Sequence, residues 1–272
     1  MPSPMMRAMT PTVEARFSHL HMRAADPGAA ASWYREHFGC VPVAGPTAGG
    51  APALRPPPAD CAEDSTGPLF VWDAATGKAP ARSIGSTLDH YGWSVTDLDG
   101  WHRRLCAAGC TSLQEPMEIG DRRLRISFLE DPFGCKLELL ADADLLGWHH
   151  VHLLVPEAGE HRDWWHRRFG GEARQFNGLL PGLRFAVAGA TGRAWWLLFR
   201  ETDDALAPTA GRVVDRIVFR VGDVDQAARR LERSGAPLIE APGELDGVRG
   251  ARIEAPGGVQ VELQSAPRKA DG

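Results

Sequence analysis

The chain repeats itself at long range, and few sequence features restrict a fold more. The alternating run Arg16-Phe17-Ser18-His19-Leu20-His21-Met22-Arg23-Ala24 has a counterpart in Trp148-His149-His150-Val151-His152-Leu153-Leu154-Val155. Aligning His19 with His150, His90 with Arg216 and Glu138 with Glu262 gives offsets of 131, 126 and 124 residues. Strand, helix and turn signals keep their order through both halves, so the pattern predicts four β-α-β-β-β units rather than a chance likeness. The short stretch from Ala141 to Gly147 is the expected boundary between the halves.

Local chemistry places the elements inside each unit. Asp26-Pro27 reads as an N-cap with proline at the first helical position, and the helix should run from Ala29 through Tyr34 and Phe38 to Gly39. Tyr34 and Phe38, four residues apart, share a face that should pack on a sheet. Asp97 should cap a helix from Leu98 to Ala108, closed by Gly109, and similar signals mark helices ending near Gly170 and Ser234. Prolines and glycines dominate from Cys40 to Asp64, which reads as short strands with a mobile loop, and residues 1–15 read as a disordered leader. The two halves are then expected as domains of residues 16–142 (units 16–76 and 86–142) and 148–266 (units 148–202 and 212–266).

Alternation along the strands sorts the polar residues. His19, His21 and Arg23 should share one face, opposite Leu20, Met22 and Ala24. His90, Gly92 and Ser94 should oppose Tyr91, Trp93 and Val95, and Lys136, Glu138 and Leu140 should oppose Leu137 and Leu139. The same rule sends His149 to the face opposite His150 and His152. An imidazole on one strand and a carboxylate on another, with Asp131-Pro132-Phe133-Gly134 turning the chain just before it, can hold a divalent metal. Arg216 has no lone pair for a metal, so the second half lacks a full set, and Glu262 is expected to pair with Arg216.

Composition narrows the partners. Thirty basic and 35 acidic residues give a net charge of -5 without long runs of either sign, which offers no handle for nucleic acid or an anionic membrane. A small-molecule substrate is the natural partner, with the protein a monomer or homodimer. The five cysteines, Cys40, Cys61, Cys106, Cys110 and Cys135, contain no Cys-x-x-Cys pair and suit a reducing cytoplasm. Cys106 and Cys110 read as packing residues. No stretch has the apolar length of a signal peptide or a membrane span. The nine tryptophans are mostly expected between helix and sheet, with Trp72, Trp195 and Trp196 possible borders of an apolar pocket.

The runs His19-x-His21-Met22 to Trp33-Tyr34 and Phe38-Gly39, and Asp131-Pro132-Phe133-Gly134 to Glu138, resemble the vicinal oxygen chelate superfamily of glyoxalases, extradiol dioxygenases and bleomycin resistance proteins. The resemblance spans about Phe17 to Gln264 and implies an α+β fold: four β-α-β-β-β modules forming two glyoxalase-like domains with cup-shaped mixed sheets. It implies metal ligands at His19, His90 and Glu138, one divalent metal (Fe2+, Mn2+ or Zn2+), and a substrate that chelates it through adjacent oxygens. Since the end of the first unit, Leu69 to Trp72, offers no carboxylate or amide, a three-ligand site is expected. His21 is the candidate acid/base residue.

The reaction expected from this resemblance is a metal-dependent lyase or isomerase step of the glyoxalase type. Ring cleavage by an extradiol-type dioxygenase is the alternative; against it, the position three residues before Asp131, where those enzymes carry tyrosine, is Phe128. A non-enzymatic protein that sequesters an aromatic or antibiotic ligand is a third reading. Units can pair one with two and three with four, or one with four and two with three. Sequential pairing is expected because consecutive units are usually neighbours and the link from Ala141 to Gly147 is short; the other scheme would put His150, not His19, with His90 and Glu138.

Overall fold

The computed structural model describes residues 10–43, 50–57, 69–75, 78–120, 123–187 and 193–265. Unit one comprises β1 (Ala15–Ala24), α1 (Pro27–Phe38), β2 (Val41–Pro42), β3 (Ala53–Arg55) and β4 (Leu69–Ala74). Unit two comprises β5 (Leu88–Ser94), α2 (Leu98–Ala107), β6 (Thr111–Ile119), β7 (Leu124–Glu130) and β8 (Lys136–Leu140). Unit three comprises β9 (Gly147–Val155), α3 (Ala158–Phe169), β10 (Glu172–Phe176), β11 (Leu180–Ala186) and β12 (Ala194–Glu201). Unit four comprises β13 (Val214–Val221), α4 (Val224–Arg233), β14 (Leu238–Leu245), β15 (Val248–Ala255) and β16 (Val259–Ser265).

The caps form as their chemistry requires. The Asp26 carboxylate accepts from Ala29 N at 2.9 Å, Pro27 opens α1, and Gly39 closes it at φ +66°. Asp97 and Asp223 accept from Gly100 N and Gln226 N in the same way.

Two eight-stranded mixed sheets result, ordered β14-β15-β16-β13-β1-β4-β3-β2 and β10-β11-β12-β9-β5-β8-β7-β6. Unit one therefore shares a sheet with unit four, and unit two with unit three; the sequential pairing expected from the sequence is not the one adopted. The connections give the reason. The short link after β8 joins it to β9 in the same sheet, while the longer segments before β5 and before β13 cross between sheets. Those two crossings run together, with Thr87 N donating to Ala207 O at 3.1 Å and Val213 N to Ala81 O at 2.9 Å.

A large apolar core runs through both sheets. Helix α1 sits between them: Tyr34 lies against Phe70 and Trp72 of β4, while Phe38 meets Trp93 of β5 edge-on. Inside this core the Tyr91 hydroxyl donates to Tyr34 Oη at 2.9 Å, and Tyr34 donates to Asp131 Oδ2 at 2.6 Å. The other Asp131 oxygen accepts from Phe133 N and Cys135 N, which is why Asp-Pro-Phe-Gly makes so definite a turn. Burial, only partly offset by these donors, raises the Asp131 carboxyl to about 6.

The leader is not wholly disordered. Thr12 N and Val13 N donate to Arg167 O and Arg168 O at the end of α3, and Val13 is buried. Residues 1–9 and most of the loop expected between Cys40 and Asp64 lie outside the described residues. No helix among the described residues is long and apolar enough to cross a membrane.

Candidate metal centre

In the β5/β9 ladder His90 faces His152 and Gly92 faces His150, and β8 lies on the other side of β5 with Glu138 opposite Gly92. These strands bring His90, Glu138, His150 and His152 together, each offering one ligand atom and all four atoms within 4.8 Å of one another. All four residues are buried. His90 Nε2 lies 3.0 Å from Glu138 Oε2 and 3.1 Å from His152 Nδ1, and His150 Nε2 lies 3.3 Å from Glu138 Oε2.

Three imidazoles and a carboxylate suit a divalent transition metal. A second observation fits the same ion: Nε2 of His150 is buried with only the 3.3 Å approach of Glu138 Oε2 beside it and no hydrogen bond of its own. Buried polar atoms are almost always satisfied, and a cation at this point would satisfy it. Burial, with the charges of neighbouring histidines, lowers the pKa of His150 to about 4 and that of His152 well below the usual imidazole range. Both are thus neutral, lone-pair-bearing rings at pH 7. Burial alone would push the Glu138 carboxyl up, but the His150 and His90 rings beside it outweigh burial and keep Glu138 ionised. His90 moves upward: hydrogen bonds to Asp89 and Glu138 overcome its desolvation.

A backbone device recurs at each corner of the two cups. In β5, Leu88 pairs with Leu153 and His90 with His152, leaving Asp89 as an unpaired bulge residue. In β9, Trp148 and His150 are paired and His149 is the bulge. Ser18 and Asp215 occupy the same places in β1 and β13. A bulge breaks the period of two and turns the extra side chain toward its successor. Asp89 Oδ2 accordingly lies 2.7 Å from His90 Nδ1, and His149 Nδ1 lies 2.8 Å from His150 Nδ1. Ser18 Oγ stands 3.0 Å from His19 Nδ1, and Arg216 donates to Asp215 Oδ2 at 2.7 Å. The bulge corrects the expectation that His149 faces away from His150. Lys136 Nζ holds Asp89 from the far side at 2.5 Å.

His19 and His21 lie in the other sheet, paired along β1/β13 with Val218 and Arg216. They are not members of the His90 cluster; His150 stands where sequential pairing would have put His19. His21 Nε2 is 2.7 Å from Asp73 Oδ2. In this second cup the Arg216 guanidinium reaches Glu262 Oε2 at 2.6 Å, and Arg252 donates to the same oxygen at 2.8 Å. The expected Arg216–Glu262 pair is therefore present, and two fixed cations stand beside a carboxylate that in the first cup faces imidazoles. Arg252 is the register partner of Glu262 just as Phe128 is of Glu138.

Of the residues brought together here, the sequence proposes His90 and Glu138 and gives His150 as the alternative; His152, Gly92 and Asp89 are not among its candidates. His152 joins the cluster from the same strand as His150, whereas the matching β12 positions, Trp196 and Leu198, are apolar. Gly92 was visible as a glycine inside a strand, a mark of close approach. Asp89 gave no signal, because alternation assigns it to the wrong face.

The model of the Glyoxalase/Bleomycin resistance protein/Dioxygenase superfamily matches residues 16–139 and 147–263. The chain belongs to this superfamily. The superfamily matches follow the two sequence halves, although each cup draws one unit from either half. Among solved structures, glyoxalase I from Zea mays is similar at 18% identity and TM-score 0.71, covering 93% of this chain and 92% of that one. A candidate dioxygenase from Bacillus subtilis is similar at 14% identity and TM-score 0.61, covering 94% and 86%. At such identities the likeness speaks for the fold alone. A search of curated proteins finds no sequence match.

Proposed function

We propose that the protein is a divalent-metal-dependent vicinal oxygen chelate enzyme of the glyoxalase type, a lyase or isomerase acting on a small substrate with adjacent oxygens. The observation that carries this reading is the convergence of His90, Glu138, His150 and His152 within 4.8 Å, which among the described residues occurs in one cup only. His90, Glu138 and His150 hold the metal, which is Fe2+, Mn2+ or Zn2+. When bound, such an ion acts as a Lewis acid on substrate oxygens and stabilises negative charge developing there.

The rest is supplied by the chain. His152, neutral at pH 7 and with Nε2 unpartnered, is the group that takes and returns the substrate proton. It occupies in this cup the place that His21, the acid/base candidate from sequence, has in the other. Trp196, the register partner of His150, packs with Leu145, Leu198 and Phe176 into an apolar wall. That wall suits a substrate whose oxygens adjoin an apolar body and excludes water from the reacting carbon.

Proton transfer is favoured over oxygen-dependent ring cleavage by Phe128, whose ring lies 5.2 Å from His90 and offers no hydroxyl. The test is metal analysis of anaerobically purified protein followed by 2-oxoaldehyde (with and without thiol) and catechol panels. Isomerase turnover that needs stoichiometric metal, with His152→Asn keeping the metal and losing kcat, is the expected result. Oxygen uptake on catechols would replace this reading with the dioxygenase, and tight chelator-insensitive ligand binding with no metal would replace it with a sequestering protein. Loss of metal from His152→Asn would make that residue a ligand instead of the proton carrier. We place the protein in the cytoplasm, as a monomer or homodimer.

A further inference from the structure

A cleft of about 900 Å³ opens where the start of β1 and the end of β13 meet α3, β10 and β11. Its lining combines the aromatic rings of Phe17, Phe169 and Phe185 with the guanidinium groups of Arg16, Arg184 and Arg220. Arg16 and Arg220 are direct cross-strand partners in the β1/β13 ladder. Like charges placed opposite one another destabilise a ladder unless something lies between them.

No side-chain ion pair or hydrogen bond engages Arg16, Arg184 or Arg220 among the described residues. Arg220 is half-buried, and desolvation alone lowers its pKa, with no acidic neighbour to offset it. Two carboxylates, Glu14 and Glu172, also border the cleft. Glu172 is the cross-strand neighbour of Arg184, yet it turns to Arg174 at 2.7 Å. His166, on the α3 wall, keeps a buried Nδ1 without a partner. The walls are fixed: backbone hydrogen bonds pin Thr12 and Val13 to the end of α3. Gly171 leaves room for the ring of Phe185, since a Cβ there would come within 2.9 Å of it.

We propose that this cleft is a binding site, separate from the metal centre, for a small organic acid: an aromatic or short alkyl body seated on the three phenylalanines, its carboxylate between Arg220, Arg184 and Arg16. Guanidinium forks match a carboxylate in two-point geometry, and aromatic floors take a planar apolar body. The inference does not rest on the metal-centre reading.

The test is calorimetric titration of the full chain with 2-naphthoate, 2-naphthol and inorganic phosphate, in wild type, Arg220→Gln, Arg184→Gln and the metal-centre variant Glu138→Gln. One equivalent of 2-naphthoate should bind to wild type and to Glu138→Gln alike, with 2-naphthol and phosphate at least tenfold weaker. Each arginine variant should lose tenfold or more in naphthoate affinity. Unliganded Arg220→Gln should melt no lower than wild type, because an uncompensated charge has been removed. Equal affinity for naphthol, naphthoate binding that survives both arginine changes, or binding lost with Glu138→Gln would each overturn the proposal.

Discussion

Gly92 stands directly across the β5/β9 ladder from His150, and a Cβ on Gly92 would lie 2.1 Å from the Cε1 of that ring. The equivalent position in the Arg216 cup is Val218, opposite His19. Gly92→Ala should therefore push the His150 ring out of the donor set while the strand itself survives. We expect metal stoichiometry to fall well below one and stability to drop by about 1–3 kcal/mol, as for other overpacked sites. Elemental analysis and urea unfolding measure the two effects, and a variant that holds its metal normally would show that His150 is not a ligand.

The choice between the two cups is tested by a pair of substitutions. His150→Ala should lose the metal and His19→Ala should keep it, since only His150 shares a sheet with His90 and Glu138. Glu138→Gln should weaken metal binding and abolish turnover with the fold retained, because a neutral amide is the poorer ligand. Metal lost from His19→Ala and kept in His150→Ala would move the centre to the other cup.

Asp89 acts through His90. Asp89→Asn gives the ring a neutral amide in place of the charged acceptor at Nδ1 and leaves Lys136 without its ionic partner. Carboxylates behind metal-bound histidines are typically worth about 10–100-fold in metal affinity, and a loss of that size is expected in competition with a chromophoric chelator. Unaltered affinity would reduce Asp89 to a partner of Lys136.

The metal-free protein should be acid-sensitive at the same centre. Burial holds the His150 pKa at about 4 in the fold against 6.5 for an ordinary imidazole, so the unfolded chain binds the extra proton between those values. The stability contributed by the neutral ring is fully present above pH 6.5 and is lost as pH falls through about 4. Melting temperatures of chelator-treated wild type should drop more steeply from pH 7 to 4.5 than those of His150→Leu. Parallel curves would mean that His150 is as readily protonated in the fold as outside it.

In the other cup, Glu262→Gln would leave the buried Arg216 and its neighbour Arg252 without their shared acceptor. Breaking one partner of a buried ion pair costs about 3–5 kcal/mol, so urea midpoints should fall accordingly with metal content unchanged. A midpoint within error of wild type would show that Asp215 and Asp246 suffice for Arg216.

The sequence by itself determined the four units, their caps, and which face most strand residues take. Those properties are local: Asp26 meets its helix three residues on, Tyr34 and Phe38 stack within one turn, and the period of two sorts Leu20 from His21 wherever the strand is placed. Resemblance then pointed to His90 and Glu138, which belong to one unit and meet under either pairing. Only the tertiary structure decided that β5 pairs with β9 and β1 with β13, because β1 and β9 carry near-identical alternation and either could complete the ladder beside β5. The short link from Ala141 to Gly147 supports sequential pairing when read from sequence; in the fold it joins β8 to β9 within one sheet, which keeps units two and three together and brings His150 and His152 beside His90 and Glu138. The bulges at Asp89 and His149 were equally out of reach, since an unpaired residue is defined by the partner strand it fails to match, and no single strand records its partner.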